Sequence, residues 1–345
     1  MTLHCAFIGF GKSTTRYHLP YVLHRKTDWH VAHIYRRSPK PAEQDAQYAH
    51  IHFTSELNDI LHDPQVKLVV VCTHVDSHFA YAKKALEAGK NVLVEKPFTP
   101  TLAEAKELFA LAKGKGLTIS PYQNRRFDSC FLTMKKAIES GKLGEIVEIE
   151  SHFDMFRPEA PTQPGQPQDG ALYGLGVHTL DQIISLFGRP DHVAYDIRSV
   201  RNPLNPDDTF EAQLFYGNLK AIVKTSHLVK IGYPKFIVHG TKGSFIRPGI
   251  DQQETSLKDG IMPWDAGFGA DDTFSQLEYI NDSGETVTEQ WPAEVGDYGF
   301  VYDALYQTLT TGKANFVSEM EALTNMELLE RAFSQPSPAT ISLSQ

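Results

Sequence analysis

The stretch LHCAFIGFGKST, residues 3–14, places an apolar run directly before two closely spaced glycines. The run at 3–8 predicts a buried strand, and the glycines after it predict a tight turn that opens a helix. In this arrangement Gly9 permits the turn, and Gly11 lets the main chain approach a pyrophosphate group. Thr14 stands where a third glycine is usual, so the match to the dinucleotide-binding motif is incomplete.

Short apolar runs alternate with helical patterns through the N-terminal third of the chain. Further strands are predicted at 30–35, 51–53, 67–72, 91–95 and 117–120. Helices are predicted up to about Arg25, from Ser55 with its hydroxyl as the cap, at 77–89 and at 101–115. This alternation predicts a parallel sheet with right-handed crossovers, so residues 1–122 are predicted to form a Rossmann domain for NAD or NADP.

The pattern changes after about Tyr122. Helices are predicted at 129–140, 176–188, 297–311 and 319–333, and strands at 145–153, 192–200, 209–216, 219–229, 235–240 and 276–282. Many of these strands alternate and are separated by turn residues, which favours an open, largely antiparallel mixed sheet. Residues 123–345 are therefore predicted to form an α/β domain for substrate binding and oligomerisation.

Composition narrows the class of protein. The chain has 345 residues, a formal net charge of −9 and three cysteines, Cys5, Cys72 and Cys130. The acidic balance disfavours nucleic acid or an anionic membrane as a partner, and three scattered cysteines suggest neither a disulfide framework nor a zinc site. No apolar run reaches membrane-spanning length and no signal peptide is evident, so we expect a cytoplasmic protein.

The glycine turn also resembles a second phosphate-binding motif. Residues 6–13 fit a permissive P-loop, A-x-x-x-x-G-K-S, which would indicate a nucleotide triphosphatase. A P-loop must be a loop, however, and Phe7 and Ile8 are predicted to lie in the strand. The strand at 67–72 also ends without the Asp that would hold magnesium. We therefore favour the dinucleotide reading, in which Lys12 either touches the pyrophosphate or remains a solvated charge.

The end of the second strand discriminates between the two nicotinamide cofactors. An acidic residue there would bind the ribose 2′-hydroxyl of NAD, whereas this strand ends Tyr35-Arg36-Arg37-Ser38. Two guanidinium groups and a hydroxyl favour a 2′-phosphate, with two solvated surface arginines as the alternative, and the absence of the acidic residue is the stronger part of the argument. The sequence therefore predicts NADP, with NAD the less favoured cofactor.

A lysine follows the strand at 91–95, in the sequence Glu95-Lys96-Pro97. Because ligands bind at the carboxyl ends of parallel strands, Lys96 is a candidate acid or base. Spacing alone favours an ordinary lysine at the end of a strand.

Four segments together resemble the Gfo/Idh/MocA family of oxidoreductases. They are GFGKST (9–14), THVDSHFAYAKKALEAGKNVLVEKPFTPT (73–101), YQNRRFD (122–128) and YGLGVHTLDQIISLFG (173–188). The resemblance covers nearly the whole chain in order and spacing. It implies a Rossmann domain followed by an open-sheet domain, hydride transfer between a nicotinamide cofactor and a sugar or polyol carbon, and a homodimer or higher oligomer that pairs the sheets.

The resemblance also implies the roles of particular residues. Lys96 and His178 match the family's catalytic lysine and histidine, and Asp181 lies one helical turn after His178. The predicted catalytic residues are therefore Lys96, His178 and Asp181. The predicted cofactor contacts are Gly9, Phe10, Gly11, Lys12, Ser13, Arg36, Arg37, Thr73, His74, His78, Glu95 and Lys96.

The sequence departs from the family at one position in the C-terminal motif. The family pattern D-x-G-x-H has an Asp four residues before the His, where this chain has Gly174. Asp169, Tyr173 or Asp181 is a candidate to compensate. If none does, the protein is a cofactor-binding regulator without turnover. A redox-assisted glycosidase is the third alternative within the family.

Other candidates depend on position in the sequence. Asn124, Arg125, Arg157 and Tyr173 are predicted substrate contacts, with structural hydrogen bonding as the alternative for the first two. The Pro/Gly/Gln-rich loop at 157–170 is interpreted either as a lid or as a surface excursion without function. His74 and His78 have the spacing of a zinc pair, but no third ligand accompanies them, so no metal is predicted.

Overall fold

The computed structural model describes residues 1–161 and 164–343 and divides the chain into two compact units. The first unit comprises 1–124, 259–268 and 298–326, and the second comprises 125–258, 269–297 and 327–345. The sequence predicted a single boundary after residue 122. The first unit therefore includes two later segments that a linear reading of the chain assigns to the C-terminal domain.

The described residues form strands and helices throughout both units. The strands are β1 Leu3–Ile8, β2 Trp29–Tyr35, β3 His52–Thr54, β4 Val66–Val71, β5 Asn91–Val94, β6 Ile119–Pro121, β7 Ile146–His152, β8 His192–Arg198, β9 Thr209–Tyr216, β10 Leu219–Ser226, β11 Phe236–Gly240, β12 Gly243–Arg247, β13 Ser275–Ile280, β14 Thr286–Trp291 and β15 Ala339–Ser342. The α-helices are α1 Leu19–His24, α2 Asn58–Leu61, α3 His78–Glu87, α4 Leu102–Lys115, α5 Ser129–Glu139, α6 Val177–Phe187, α7 Gln253–Lys258, α8 Phe300–Thr311 and α9 Glu319–Arg331.

The first unit contains a six-stranded sheet in the order β3-β2-β1-β4-β5-β6, with every neighbouring pair parallel. The middle strands β1 and β4 are almost entirely buried because helices cover a parallel sheet on both faces. The predicted Rossmann domain is confirmed. Phe7 and Ile8 lie inside β1, which excludes the P-loop alternative.

One predicted helix start is wrong. The structure places α2 at Asn58–Leu61 and gives it no side-chain cap, so Ser55 does not cap a helix. The neighbouring Thr54 hydroxyl accepts a hydrogen bond from the Glu56 amide at 2.9 Å and donates to Asp59. Residue 55 therefore lies in a turn stabilised by Thr54, which competes with an earlier helix start.

The second unit contains a nine-stranded sheet in the order β14-β13-β12-β11-β7-β10-β9-β8-β15. Among the described strands of this sheet, only β7 and β10 pair in parallel, so the prediction of a largely antiparallel mixed sheet is confirmed. The sequence patterns did not predict β12, β14, β15 or α7. These elements are short, and β14 alternates only between exposed and half-exposed residues, which leaves a weak apolar pattern.

Side chains from α8 complete the core of the first unit. The Tyr302 hydroxyl lies 2.7 Å from Nδ1 of His18, and the Trp29 indole donates to the Tyr302 carbonyl at 3.2 Å. Arg25 makes two hydrogen bonds to the Asp303 carboxylate, at 2.6 and 2.9 Å. A segment almost 300 residues from the N-terminus thus packs on β2 and the first helical region.

Three properties of the described ranges bear on the class of protein. No helix within them is long and apolar enough to span a bilayer. The three cysteines are free and buried. Within residues 1–161 and 164–343, no group of three or more His, Cys, Asp or Glu side chains is arranged to hold a metal ion.

Candidate functional site

A cavity of about 340 Å³ lies in the first unit, where β1, β2 and β4 end. Its lining includes Gly9, Phe10, Gly11, Tyr35, Arg36, Arg37, Ser38, Lys40, Thr73, His74 and Tyr81. Three predicted groups of cofactor contacts therefore meet at one opening: the glycine turn, the end of β2 and the turn after β4. Carboxyl ends of parallel strands are where such sheets bind ligands.

The two glycines of the turn have different structural requirements. Gly9 has a φ of +111°, and a Cβ there would lie 2.5 Å from the Cys72 carbonyl oxygen. At Gly11 a Cβ would meet no atom within 4 Å, so this residue borders open space. The first glycine is required by the fold, and the second leaves room for a ligand against the main chain. The loop therefore fits the pyrophosphate of a nicotinamide dinucleotide.

The position of the missing third glycine has its own local structure. Thr14 is fully buried, and its hydroxyl donates to the Gly9 carbonyl at 2.9 Å. It begins a five-residue π-helical segment, Thr14–His18, that continues into α1. The turn is thus held by a side-chain hydrogen bond, and the wider π turn accommodates a residue larger than glycine.

The arginines after β2 differ in their contacts. The Arg36 guanidinium makes hydrogen bonds of 2.7 and 3.0 Å to the Glu43 carboxylate, and this bond lowers the pKa of Glu43. Arg37 and Ser38 are exposed at the rim of the cavity. Lys40, which the sequence analysis did not select, lines the same cavity and donates its ammonium group to the Phe10 carbonyl. A lysine five residues past the end of β2 carried no motif signal.

Glu95 lies at the centre of a buried polar network. Its carboxylate accepts hydrogen bonds from the Ser13 hydroxyl, from His18 Nε2 at 3.1 Å and from the Lys96 amide at 2.9 Å. Burial alone raises the pKa of Glu95, but the hydrogen bonds and charge of His18, with smaller effects from Ser13 and Lys96, lower it to about 2. Ser13 and Glu95 bond to each other in the structure. Their predicted contacts with the cofactor therefore stay predictions.

Lys96 is half-buried immediately after β5. The corner that follows it is held by His78, whose Nδ1 lies 2.9 Å from the Pro97 carbonyl and whose Nε2 lies 3.0 Å from the Thr73 carbonyl. Burial lowers the pKa of His78 despite these two acceptors. His78 thus ties the Lys96–Pro97 corner to the turn after β4, a role that no sequence motif indicated.

The suggested zinc pair has no supporting geometry. His74 projects a largely exposed ring, 3.1 Å from Asp76. His78 is 1% exposed and directs both ring nitrogens at main-chain carbonyls. His74 remains a lining residue of the first-unit cavity.

The predicted catalytic residues of the second unit lie on α6. A five-residue π-helical segment, Leu172–Gly176, leads into this helix, and His178 occupies its first turn and is 5% exposed. Asp181 accepts hydrogen bonds of 2.7 and 2.8 Å from Arg126, and both side chains are buried. Arg126 therefore fixes α6 through a bidentate ion pair, which the YQNRRFD motif did not reveal.

Three of the four predicted substrate contacts have side chains that are buried or mostly buried in the protein. Arg125 lies 2.6 Å from Glu254 and stacks over the Phe153 ring at 4.9 Å. Tyr173 is buried against Phe333, and burial raises its pKa to about 12. Asn124 is 7% exposed. Their substrate roles stay predictions.

A second cavity, of about 600 Å³, lies within the second unit. Its lining includes the fourth predicted contact, Arg157, together with Asp169 and Gly174, and also Arg201, Asp207 and His227. Asp207 and His227 were not predicted from the sequence. The only signal for them was a pair of adjacent acids before β9 and a histidine just after β10, neither of which forms a motif.

Comparison with known proteins assigns both parts of the chain. Residues 3–123 match the NAD-binding Rossmann fold of the Gfo/Idh/MocA oxidoreductase family, and residues 135–340 match its C-terminal α/β domain. The chain belongs to this family.

Individual relatives extend over the full length. The oxidoreductase YhhX of Escherichia coli (strain K12) is 76% identical and covers 100% of both chains. A crystal structure of yhhX superposes with a TM-score of 0.99 over 100% of both chains, at 76% identity. An oxidoreductase from Bacillus cereus has a TM-score of 0.97 at 46% identity, covering 100% of this chain and 99% of its own.

A more distant relative has a named reaction. The scyllo-inositol 2-dehydrogenase (NADP(+)) IolW of Bacillus subtilis (strain 168) is 32% identical, covering 96% of this chain and 93% of its own. The predictions of a family member and of an oxidoreductase are thus confirmed.

Proposed function

We propose that this chain is an NADP-linked dehydrogenase that transfers hydride between the cofactor and the CH–OH carbon of a sugar or polyol. The observation that carries the proposal is the glycine turn: Gly9 is fixed by its φ, and Gly11 faces the open first-unit cavity. The name of the relative IolW supports a cyclic polyol as the first substrate to test.

The preference for NADP is supported by charge at the end of β2. β2 is followed by Arg36-Arg37-Ser38 and not by the acidic residue that would bind the ribose 2′-hydroxyl of NAD. The carboxylate of Glu43 is paired with Arg36. Arg37, Ser38 and Lys40 offer two cations and a hydroxyl at the rim. These groups suit a 2′-phosphate by charge-assisted hydrogen bonds, with Arg36 supporting the loop rather than binding the phosphate.

The proposed reaction requires specific roles of the chain's own residues. Bound cofactor supplies the hydride acceptor, so the protein must bind the alcohol and accept its hydroxyl proton. We assign that proton to Lys96, which follows Glu95 at the end of β5. His178, in the first turn of α6, stays a predicted catalytic residue of the second unit. Asp181 contributes by fixing α6 through Arg126. A direct catalytic role of Asp181 is proposed on the basis of the family resemblance alone.

A substitution at Lys96 tests the assignment. We expect Lys96→Met to lower kcat for polyol oxidation by about 100-fold or more, because a general acid–base group is removed. A parallel titration with NADPH measures separately the contribution of Lys96 as a predicted cofactor contact. The control is Lys67→Met, since Lys67 is an exposed lysine of β4 that bonds the Pro64 carbonyl. Equal turnover of the two variants in a spectrophotometric NADPH assay would remove Lys96 from the mechanism.

The same assay separates the alternative functions. Gly174, in place of the family's acidic residue, favours a cofactor-binding regulator as the second candidate. NADPH binding without turnover across sugars and polyols would support that candidate. Cleavage of aryl glycosides without net change in NADPH would support a glycosidase.

We also propose a homodimer formed through the second sheet, in the cytoplasm. Ile246 and Ile280 lie on one face of that sheet and are 36% and 46% exposed. Exposed branched apolar residues on a sheet face suit contact with a second copy. Light scattering of the purified chain at micromolar concentration measures the assembly, and a monomer would contradict it.

A further inference from the structure

The second-unit cavity contains more charged groups than the family motif accounts for. Arg201 is committed to the protein: it donates to Asp208 at 2.9 Å and to the carbonyls of Arg157 and Glu159 at 2.7 and 2.8 Å. Three further acids line the cavity, Glu159, Asp169 and Asp207. Among the described lining residues, the cation left to balance these acids is the exposed side chain of Arg157.

Asp207 is 6% exposed and only partly satisfied. Its Oδ2 accepts a hydrogen bond from the Leu172 amide at 2.8 Å. Its Oδ1 packs against Gly170, where a Cβ would come within 1.9 Å. Within residues 1–161 and 164–343 this oxygen has no hydrogen-bond partner. A buried carboxylate oxygen without a partner calls for an explanation, and a ligand hydroxyl would supply one.

His227 adds a donor to the same cavity. Its Nδ1 lies 3.1 Å from the Arg201 guanidinium, which can only donate, so Nδ1 is the acceptor. Burial and the charges of Arg201 and Arg157 lower the pKa of His227. The ring is therefore neutral, and its proton is on Nε2.

We propose that Asp207 and His227 form a subsite for an uncharged polyol, with Asp207 Oδ1 accepting a hydrogen bond from one hydroxyl and His227 Nε2 donating to another. The inference rests on the proposed function for its substrate class. Gly174 contributes space, since a Cβ there would meet nothing within 4 Å. The excess of acids over cations disfavours a carboxylate or phosphate ester.

Asp207→Asn separates binding from structure. The amide oxygen can still accept from the Leu172 amide, while its NH₂ group replaces the free acceptor. In calorimetric titrations of the NADPH-bound protein with scyllo-inositol, we expect Asp207→Asn to weaken binding by about tenfold. The control, Asp191→Asn, alters a carboxylate of the second unit that accepts a hydrogen bond from the Gly217 amide at 2.8 Å and is not among the residues that line the cavity. It should change affinity less than about twofold.

Further readouts distinguish a ligand contact from a structural role. Asp207→Asn should leave the melting temperature and NADPH affinity unchanged, and it should raise KM more than it lowers kcat. The wild type should bind scyllo-inositol at least about tenfold more tightly than myo-inositol 1-phosphate.

The pH dependence provides an independent check. Burial, with a smaller effect of Asp208, raises the pKa of Asp207 to about 6. The charged groups around it are Glu159, Asp169, Asp208, Arg157 and Arg201, together with the titratable His227 and Tyr173. Protonation below that pKa removes the charged acceptor, so polyol affinity should fall as pH drops through 6 in the wild type. The decline should be weaker in Asp207→Asn.

The results of these experiments separate the subsite from the proposed dehydrogenase activity. Any of four results would overturn the subsite: Asp207→Asn binds polyol with wild-type affinity, both variants lose affinity equally, the phosphate ester binds more tightly than the polyol, or the wild type binds no polyol. Polyol binding that depends on Asp207 but gives no turnover would retain the subsite and reject the proposed dehydrogenase.

Discussion

At the scale of the residue, Gly9 and Gly11 shape the turn after β1, and the ion pair of Arg36 with Glu43 fixes the segment after β2. Gly9 and Gly11 were found because a strand followed by G-x-G has a known geometric need. Arg36 was predicted to bind the cofactor, whereas the structure pairs it with Glu43, seven residues later. Spacing cannot show which of two adjacent arginines will find an internal carboxylate.

The turn gives a direct residue-level prediction. Gly9→Ala should destabilise the protein by about 1–3 kcal/mol, because alanine is strained at a φ of +111° and its Cβ meets the Cys72 carbonyl. Gly11→Ala should leave the unfolding free energy almost unchanged and weaken NADPH binding. Urea denaturation and cofactor titration of both variants make the measurement. Equal stability of the two variants would contradict this account of the turn.

At the scale of the element, the main strands and helices were predictable and their tertiary contacts were not. Apolar runs located β1, β4 and β9, since buried strands have a continuous or alternating pattern. The strand β14 was missed because its side chains are mostly exposed. The buried network of Ser13, His18 and Glu95 joins the start of the first helical region to the end of β5, and no local pattern encodes it.

This network predicts a pH effect on stability. The folded protein lowers the pKa of Glu95 to about 2, below its ordinary value of 4.5. The stabilisation is therefore present above pH 4.5 and is lost as pH falls from there towards 2. Glu95→Gln should cost roughly 2 kcal/mol at neutral pH and remove part of the acid dependence between those limits.

The matched control for this prediction is Glu107→Gln. Glu107 is about half exposed and pairs with Lys83 on the surface of the same unit. Urea unfolding from pH 7 to pH 3 should give parallel curves for the control and the wild type. If Glu95→Gln also runs parallel to the wild type, Glu95 is not ionised through the network as described.

At the scale of the whole molecule, the first unit is discontinuous in sequence. Tyr302 and Asp303 of α8 contact His18, Trp29 and Arg25 within that unit. A linear division after residue 122 could not include them, because periodicity along the chain carries no information on which distant helix closes a core. The family resemblance supplied the order of the domains without this contact.

A fragment experiment tests the discontinuity. Residues 1–124 alone should lack a cooperative thermal transition and a near-ultraviolet circular dichroism signal, since Trp29 and His18 lose their partners on α8. The full chain should show both under the same conditions. A fragment that unfolds cooperatively with native-like aromatic signals would show that α8 is dispensable for the first unit.

The central claim is that the glycine turn binds a nicotinamide dinucleotide. Its most direct test is a calorimetric titration of the purified full chain with NADPH and, separately, with NADH. We expect saturable binding of one dinucleotide per chain, with NADPH at least about tenfold tighter, because Arg37 and Lys40 place two cations at the rim of the cavity where we propose that the 2′-phosphate binds. Tighter binding of NADH would contradict the assignment of those cations. Failure of either dinucleotide to bind would contradict the role of the glycine turn.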